Sequence, residues 1–296
     1  MKRIINAVIA ALMLILLASC TGKTNTAVVP AIQFAAPGAE EIAPPEMASS
    51  IKLNSTTMQV YYIDIPDGET MFKEFNSVSE IASDNVELIN KTDDGYWLYK
   101  AGDGTLLIDT SAESWTYSTP LPSAAPDNMP TDAQAQQIAA KEIADSGLKI
   151  GSTSDSGVLS YTTDGDEKIL QKDVIFYPTV DGKNVYGIFR TTVGIGEGGK
   201  TVYFSKQSFE PKAGREVKLK SIDEVKQSIS KGEFISNAAG ASGTATITDY
   251  ELCYYCDGVA KDGKLYVQPV YVFSAEINNA GESEQIKVFV DAASQA

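Results

Sequence analysis

Seven Asp-Gly pairs, beginning at Asp67, Asp94, Asp103, Asp164, Asp181, Asp257 and Asp262, punctuate this 296-residue chain. Glycine and aspartate tolerate the positive φ angles of tight turns, and most of these pairs stand between short runs rich in β-branched and aromatic residues. None continues into the ligand spacing of an EF-hand, so they read as turns and not as calcium loops. A chain cut this often predicts antiparallel sheet built from short strands.

Alternating runs at 58–65, 96–99 and 105–109 predict a small β-rich domain over 51–120. A Pro-rich stretch at 121–130 reads as the linker to a larger domain, 131–296. That domain opens with Thr131-Asp-Ala-Gln134, a capping box that starts a helix carrying Ile138 and Ile143 and ending near Gly147. Strands are expected at 157–162, 168–178, 184–193, 201–208 and 215–219. A second capping box, Ser221-Ile-Asp-Glu224, begins a short helix with Val225 and Ile229, stopped by Gly232. Further strands are expected at 244–255, 265–275 and 285–291. The order predicts an α+β fold of two related halves, each a short helix packed on an antiparallel sheet.

The N-terminus carries Lys2 and Arg3, an apolar run from about Ala7 to Leu17, and a small-residue step, Ala18-Ser19, before Cys20. This is the pattern of a bacterial lipoprotein signal peptide over 1–19, too short for a comfortable membrane span. Cleavage before Cys20 would make that thiol the lipidated N-terminus, with acyl chains such as palmitate contributing about 0.8 kcal/mol per buried CH₂. The expected location is extracytoplasmic, anchored to the cell membrane or outer membrane. Residues 20–50, with Pro30, Pro37, Pro44 and Pro45, read as a lipidated flexible linker.

The formal net charge of −15 opposes binding to nucleic acid and to anionic lipid surfaces. An extracytoplasmic protein also meets no nucleotide pool, so neither nucleic acid nor nucleotide is expected as a partner. The chain has no histidine. Ser-His-Asp and Cys-His catalysis and most zinc sites depend on imidazole, so the chain reads as a non-enzyme with no metal and no cofactor.

Gly194-Ile-Gly-Glu-Gly-Gly-Lys-Thr201 matches the P-loop pattern. Phosphate binding there requires a following helix whose N–H groups face the ligand, whereas Thr201-Val-Tyr-Phe-Ser205 is β-branched and aromatic. The segment therefore reads as a Gly-rich hairpin loop. Cys253-Tyr-Tyr-Cys256 admits three readings: two unbonded buried thiols, a local structural disulfide, or a redox or metal centre. In an extended strand, positions i and i+3 are roughly 10 Å apart, so a disulfide would need the chain to bend at Tyr254-Tyr255. The carboxylates Asp164, Asp166 and Glu167 cluster in a turn where solvation explains them. The aromatics Tyr61, Tyr62, Trp97, Tyr99, Trp115 and Tyr117 would serve either as a carbohydrate platform or as sheet core.

Three stretches carry a resemblance: Val174-Ile-Phe-Tyr-Pro-Thr-Val-Asp-Gly-Lys-Asn-Val-Tyr-Gly187, Leu219-Lys-Ser-Ile-Asp-Glu-Val-Lys-Gln-Ser-Ile-Ser-Lys-Gly232, and Tyr250-Glu-Leu-Cys-Tyr-Tyr255 followed by Leu265-Tyr-Val-Gln-Pro-Val-Tyr-Val-Phe273. In these the region 130–291 resembles the extracytoplasmic YycH/YycI regulators and related PepSY-type modules. The resemblance implies a module that acts by binding, restraining a membrane partner or inhibiting a peptidase, and it carries over no catalytic residues. YycH and YycI use a transmembrane helix, and a lipid anchor cannot touch a kinase within the bilayer. The leading expectation is a noncatalytic, lipid-anchored cell-envelope lipoprotein with an envelope or membrane protein partner, in a regulatory or assembly accessory role. The alternatives are a ligand- or glycan-binding surface lipoprotein, then an envelope hydrolase or thiol oxidoreductase.

Overall fold

The computed structural model describes residues 29–294 apart from 35–41, 55, 65–66, 79–85, 112–113, 123, 125, 149–152, 164–165, 239–242 and 280–281. The chain divides into two units, Met1–Pro30 and Ala31–Ala296, and every element below belongs to the second. In chain order these are β1 (Ala43–Met47), β2 (Thr57–Asp64), α1 (Gly68–Asn76), β3 (Val86–Lys91), β4 (Tyr96–Ala101), β5 (Gly104–Asp109), β6 (Ser114–Ser118), α2 (Asp132–Ser146), β7 (Thr153–Thr163) and β8 (Asp166–Phe176). There follow β9 (Thr179–Val180), β10 (Lys183–Gly187), β11 (Thr191–Ile195), β12 (Thr201–Gln207), β13 (Lys212–Lys218), α3 (Ile222–Ser230), β14 (Ile235–Ser236), β15 (Thr244–Cys256), β16 (Lys264–Asn279) and β17 (Glu282–Asp291). The α+β expectation holds: short helices lie on sheets that are antiparallel except where β1 and β10 run parallel to β15.

One sheet has eight strands in the order β3-β4-β5-β6-β12-β11-β8-β7. Helices α1 and α2 share one of its faces. Both start on side-chain caps, which satisfy N–H groups that the first helical turn leaves unpaired. Asp67 accepts from the Thr70 N–H at 2.8 Å, and Thr131 with Gln134 forms the expected capping box. From α1, Met71 and Phe75 are buried; from α2, Ala135, Ala139 and Ile143 are. Beneath them Trp115 stacks on Phe204 with centroids 5.0 Å apart, and Phe75 meets Trp115 edge-on at 5.6 Å. Each such large side chain fully buried contributes about 1.5–3 kcal/mol.

The second sheet has nine strands: β13-β2-β16-β15-β10-β9, with β1 beside β15, β17 beside β16 and β14 beside β17. Strand β16 changes partners along one edge, pairing with β2 through Val267 and with β17 from Val270 onward. Pro269 sits at this changeover. Its carbonyl accepts from the Ala292 N–H at 3.1 Å, so its missing N–H falls in the gap between β2 and β17, where a sheet tolerates proline. Helix α3, with its expected capping box at Ser221 and Glu224, buries Val225 and Ile229 into a core with Ile63, Tyr271 and Phe273.

Four expectations change. The stretch 51–120 is not a separately built domain. Strand β2 belongs to the nine-stranded sheet, whereas β3–β6 join β12 in the eight-stranded one through pairs such as Tyr117 with Phe204. The Pro-rich run at 121–130 is correspondingly a connection within one unit; Asn128 accepts from the Gly198 N–H at 2.9 Å, and the Asp127 N–H donates to Glu197. The strand expected at 184–193 is two strands in different sheets. The break falls at Gly187, whose φ of +99° turns the chain where it lies against Cys256. The linker expected over 20–50 is not flexible throughout: within it, β1 pairs with β15 as an edge strand that accommodates Pro44 and Pro45 at a bulge, and Ile32 and Ile42 are buried.

Of the Asp-Gly pairs, Asp181-Gly182 and Asp262-Gly263 have both φ angles positive (51° and 69°; 52° and 71°), as two-residue hairpin turns require. Asp67-Gly68 is not a turn but the start of α1. The reason is steric as well as polar: a Cβ on Gly68 would lie 2.6 Å from the Trp97 ring, so only glycine lets the helix begin there.

Candidate interaction surface

Six large apolar side chains are exposed among the described residues, and four of them lie on β3, β4 and β5. Leu88 and Ile89 of β3 are 51% and 56% exposed, Tyr96 of β4 40% and Leu107 of β5 37%. Strand register places Leu98 directly opposite Leu107 on the face away from the helices, where Tyr96 also points, whereas Leu88, opposite Tyr99, lies on the helix-bearing face. Strand β3 is an edge: among the described residues it pairs with β4 alone. A register shift between Leu88 and Asn90 marks a bulge, which locally interrupts the ladder and leaves Ile89 without a partner in it.

Helix α1 ends short of this corner. Its side chains cover β5 and β6, and Phe72 stacks on Tyr99 at 4.9 Å, so Leu88 opposite Tyr99 stays in solvent. At the far end of β3, the Lys91 ammonium sits 3.5 Å from the Trp97 ring centroid. The result is an apolar edge bounded by charges, Glu87 and Lys91 on β3 and Lys100 on β4. Exposed apolar edge strands are the surfaces on which proteins add a partner's strand or side chains.

Under α1 a polar group is held in the core. Glu74 accepts from Lys206 Nζ at 2.8 Å, with Trp115 Nε1 and Ser208 Oγ each 3.3 Å from the same oxygen. The Lys206 side chain is only 7% exposed. On the nine-stranded sheet, the Tyr61 hydroxyl donates to Asp181, and the rings of Tyr61 and Tyr254 meet edge-on at 5.6 Å. Burial, followed by the neighbouring Asp181 carboxylate, pushes the Tyr61 phenol up to about 12; burial pushes Tyr254 higher still. Both arrangements bind elements together: Glu74 of α1 to Lys206 of β12, and Tyr61 of β2 to Asp181 in the turn between β9 and β10.

The motif residues fall as follows. Cys253 and Cys256 are both buried and form no disulfide, because β15 runs straight through them and sends their side chains to opposite faces. The disulfide alternative is thereby corrected. Burial, reinforced by Glu251, raises the Cys253 thiol to about 12, the reverse of an activated thiol. The glycines of 194–201 form the β11–β12 hairpin, with a tight turn at Glu197–Gly199 and strand, not helix, from Thr201.

The six aromatics do not make a platform. Trp115 and Tyr117 are buried beneath α1, Tyr61 and Tyr62 lie in the other sheet, and Trp97 and Tyr99 pack at the start and side of α1. Among the described residues, no three Asp, Glu or Cys side chains converge as metal ligands would, and no helix is long and apolar enough to cross a membrane. Cys20 and Asp164 lie outside the described residues, as do the side chains of Asp166 and Glu167. The apolar edge escaped the sequence reading. Its signal was present in Val86-Glu-Leu-Ile-Asn90, an aliphatic run ahead of the Asp94-Gly95 turn, but exposure depends on what covers it.

No family model matches the chain, and no curated protein matches it. Among solved structures it is similar to an uncharacterized protein from Eubacterium rectale, at 11% identity and a TM-score of 0.47, covering 86% of this chain and 88% of that one. It is also similar to the C-terminal domain of YpeB from Bacillus megaterium, at 13% identity and a TM-score of 0.37, covering 75% of this chain and 99% of that domain.

Proposed function

We propose that this chain is a lipid-anchored extracytoplasmic protein that works by binding another envelope protein through the apolar edge of β3–β5, in a regulatory or assembly accessory role. The observation that carries the binding reading is the solvent exposure of Leu88 and Ile89 on the edge strand β3, with Tyr96 and Leu107 exposed on the opposite face of the two strands beside it. The small-residue step before Cys20 supports the anchor, and the resemblance of 130–291 to YycH/YycI and PepSY-type modules supports a noncatalytic role.

The test is site-specific photocross-linking in native membranes. A cross-linker at Leu88 should trap one protein in near-equal amount, and the same group on the exposed Gln136 of α2 should not. Leu88→Lys with Ile89→Lys should abolish that adduct while leaving the urea midpoint unchanged, since exposed substitutions shift stability by about 0.5 kcal/mol or less. The same capture from both positions, or from neither, rules out this edge as the binding surface.

A further inference from the structure

Four residues of the expected linker, Ala31–Phe34, lie along the face of the nine-stranded sheet opposite α3. The Gln33 N–H donates to Asp257 Oδ2 at 2.7 Å, and the Ile32 N–H bonds to the Asp291 carboxylate. Ile32 is buried in a cluster with Val270, Val272 and Phe289, and Phe34 meets the Tyr255 ring edge-on at 5.4 Å. Among the described residues the hold comprises two backbone N–H groups on two carboxylates and two apolar side chains, and Ala31–Phe34 joins no strand ladder of the kind that secures β1.

The seat beneath is imperfectly satisfied. Gln268 is 1% exposed and stands opposite Tyr255 in register, and its Oε1 has no hydrogen-bond partner among the described residues. Lifting Ala31–Phe34 would let water reach that oxygen and the two carboxylates, which offsets part of what is lost in apolar contact. Short segments held by few buried contacts open far more readily than sheet cores.

We propose that Ala31–Phe34 is a releasable strap that sets how far the folded body stands from the membrane. The inference rests on the reading of Cys20 as the lipid anchor. With the strap seated, 12 residues separate Cys20 from Ile32, a reach of at most about 40 Å at roughly 3.3–3.6 Å per residue. With it lifted, the next attachment among the described residues is Ile42, buried in the core just before β1 and 22 residues from Cys20, and the reach becomes about 75 Å. A partner that takes the Tyr255–Phe289 face favours the lifted state and so lengthens the tether.

The test uses the full-length lipidated protein in phosphatidylethanolamine–phosphatidylglycerol vesicles carrying an acceptor dye, with a donor on Ser230→Cys. Ile32→Asp with Phe34→Ser changes only strap residues and leaves the sheets intact. It should lower energy transfer to the vesicle surface and speed amide exchange at residues 32 and 33 at least tenfold. A second variant, Asp257→Ala, should do the same to a smaller degree. Unchanged transfer in both, with all proteins retained on vesicles, overturns the strap and leaves the anchor standing. Failure of the unsubstituted protein to remain on vesicles overturns the anchor reading and the strap with it.

Discussion

Cys253 and Cys256 stand three positions apart on β15 and face opposite sides of the nine-stranded sheet, Cys253 towards Tyr186 and Phe289 and Cys256 into the core with Val185 and Tyr254. Strand alternation makes this separation unavoidable, so a disulfide would require the ladder with β16 to break at Tyr254 and Tyr255. With burial and Glu251 pushing the Cys253 thiol up to about 12, it stays protonated at pH 8. A thiol reagent should leave both residues unmodified in the native protein and label both after denaturation without reductant. Rapid native labelling of Cys253 would revive the redox reading.

Gly187 should not tolerate a side chain. Its φ is +99°, and a Cβ would lie 2.0 Å from the Cys256 carbonyl oxygen, a backbone atom that cannot swing away. Gly187→Ala is expected to lower unfolding free energy by about 2–4 kcal/mol, combining left-handed strain with displacement of the β10–β15 pair. Gly147→Ala, with a φ of +67° and nothing within 4 Å of the added carbon, should lose only about 1 kcal/mol. Urea midpoints for the two variants check the ordering, and equal losses would remove the steric account.

Removing the Glu74 carboxylate leaves the Lys206 ammonium buried without it. Glu74→Ala should therefore cost about 3–5 kcal/mol, whereas Glu74→Leu combined with Lys206→Met should recover most of the loss. Chemical denaturation of the two single variants and the double variant gives the coupling. A Glu74→Ala loss below about 1 kcal/mol would mean that water already solvates the pair.

The buried phenols predict alkaline sensitivity. Burial raises Tyr61 and Tyr271 to about 12, and Tyr254 moves further in the same direction. Because the folded state holds these protons more tightly than the unfolded chain, their contribution to stability is complete below pH 10 and is lost as the pH rises towards 12. Melting temperature should stay level to about pH 10 and then fall, and Tyr61→Phe with Tyr254→Phe should fall less steeply. Parallel slopes for the two proteins would exclude the pair as a source.

What was legible in the sequence was local. The capping boxes at Thr131 and Ser221, the two-residue turns at Asp181 and Asp262, and the Gly-rich hairpin at 194–201 each depend on side-chain and backbone chemistry within a few residues, so spacing alone exposes them. Helix α1 was hidden because Asp67-Gly68 has the composition of a turn, and only the Trp97 ring laid over Gly68 and the sheet beneath Met71 and Phe75 make a helix the better solution. The interleaving of two sheets, with β6 beside β12 and the chain changing sheets at Gly187, was decided by pairing between residues far apart in sequence. So was the apolar edge: Leu88 and Ile89 look like core residues along the chain, and they face solvent because α1 packs over β5 and β6 and stops before β3. Sequence pattern determines which faces are apolar, but burial is a property of neighbours, and those are set only when distant strands compete for the same edges.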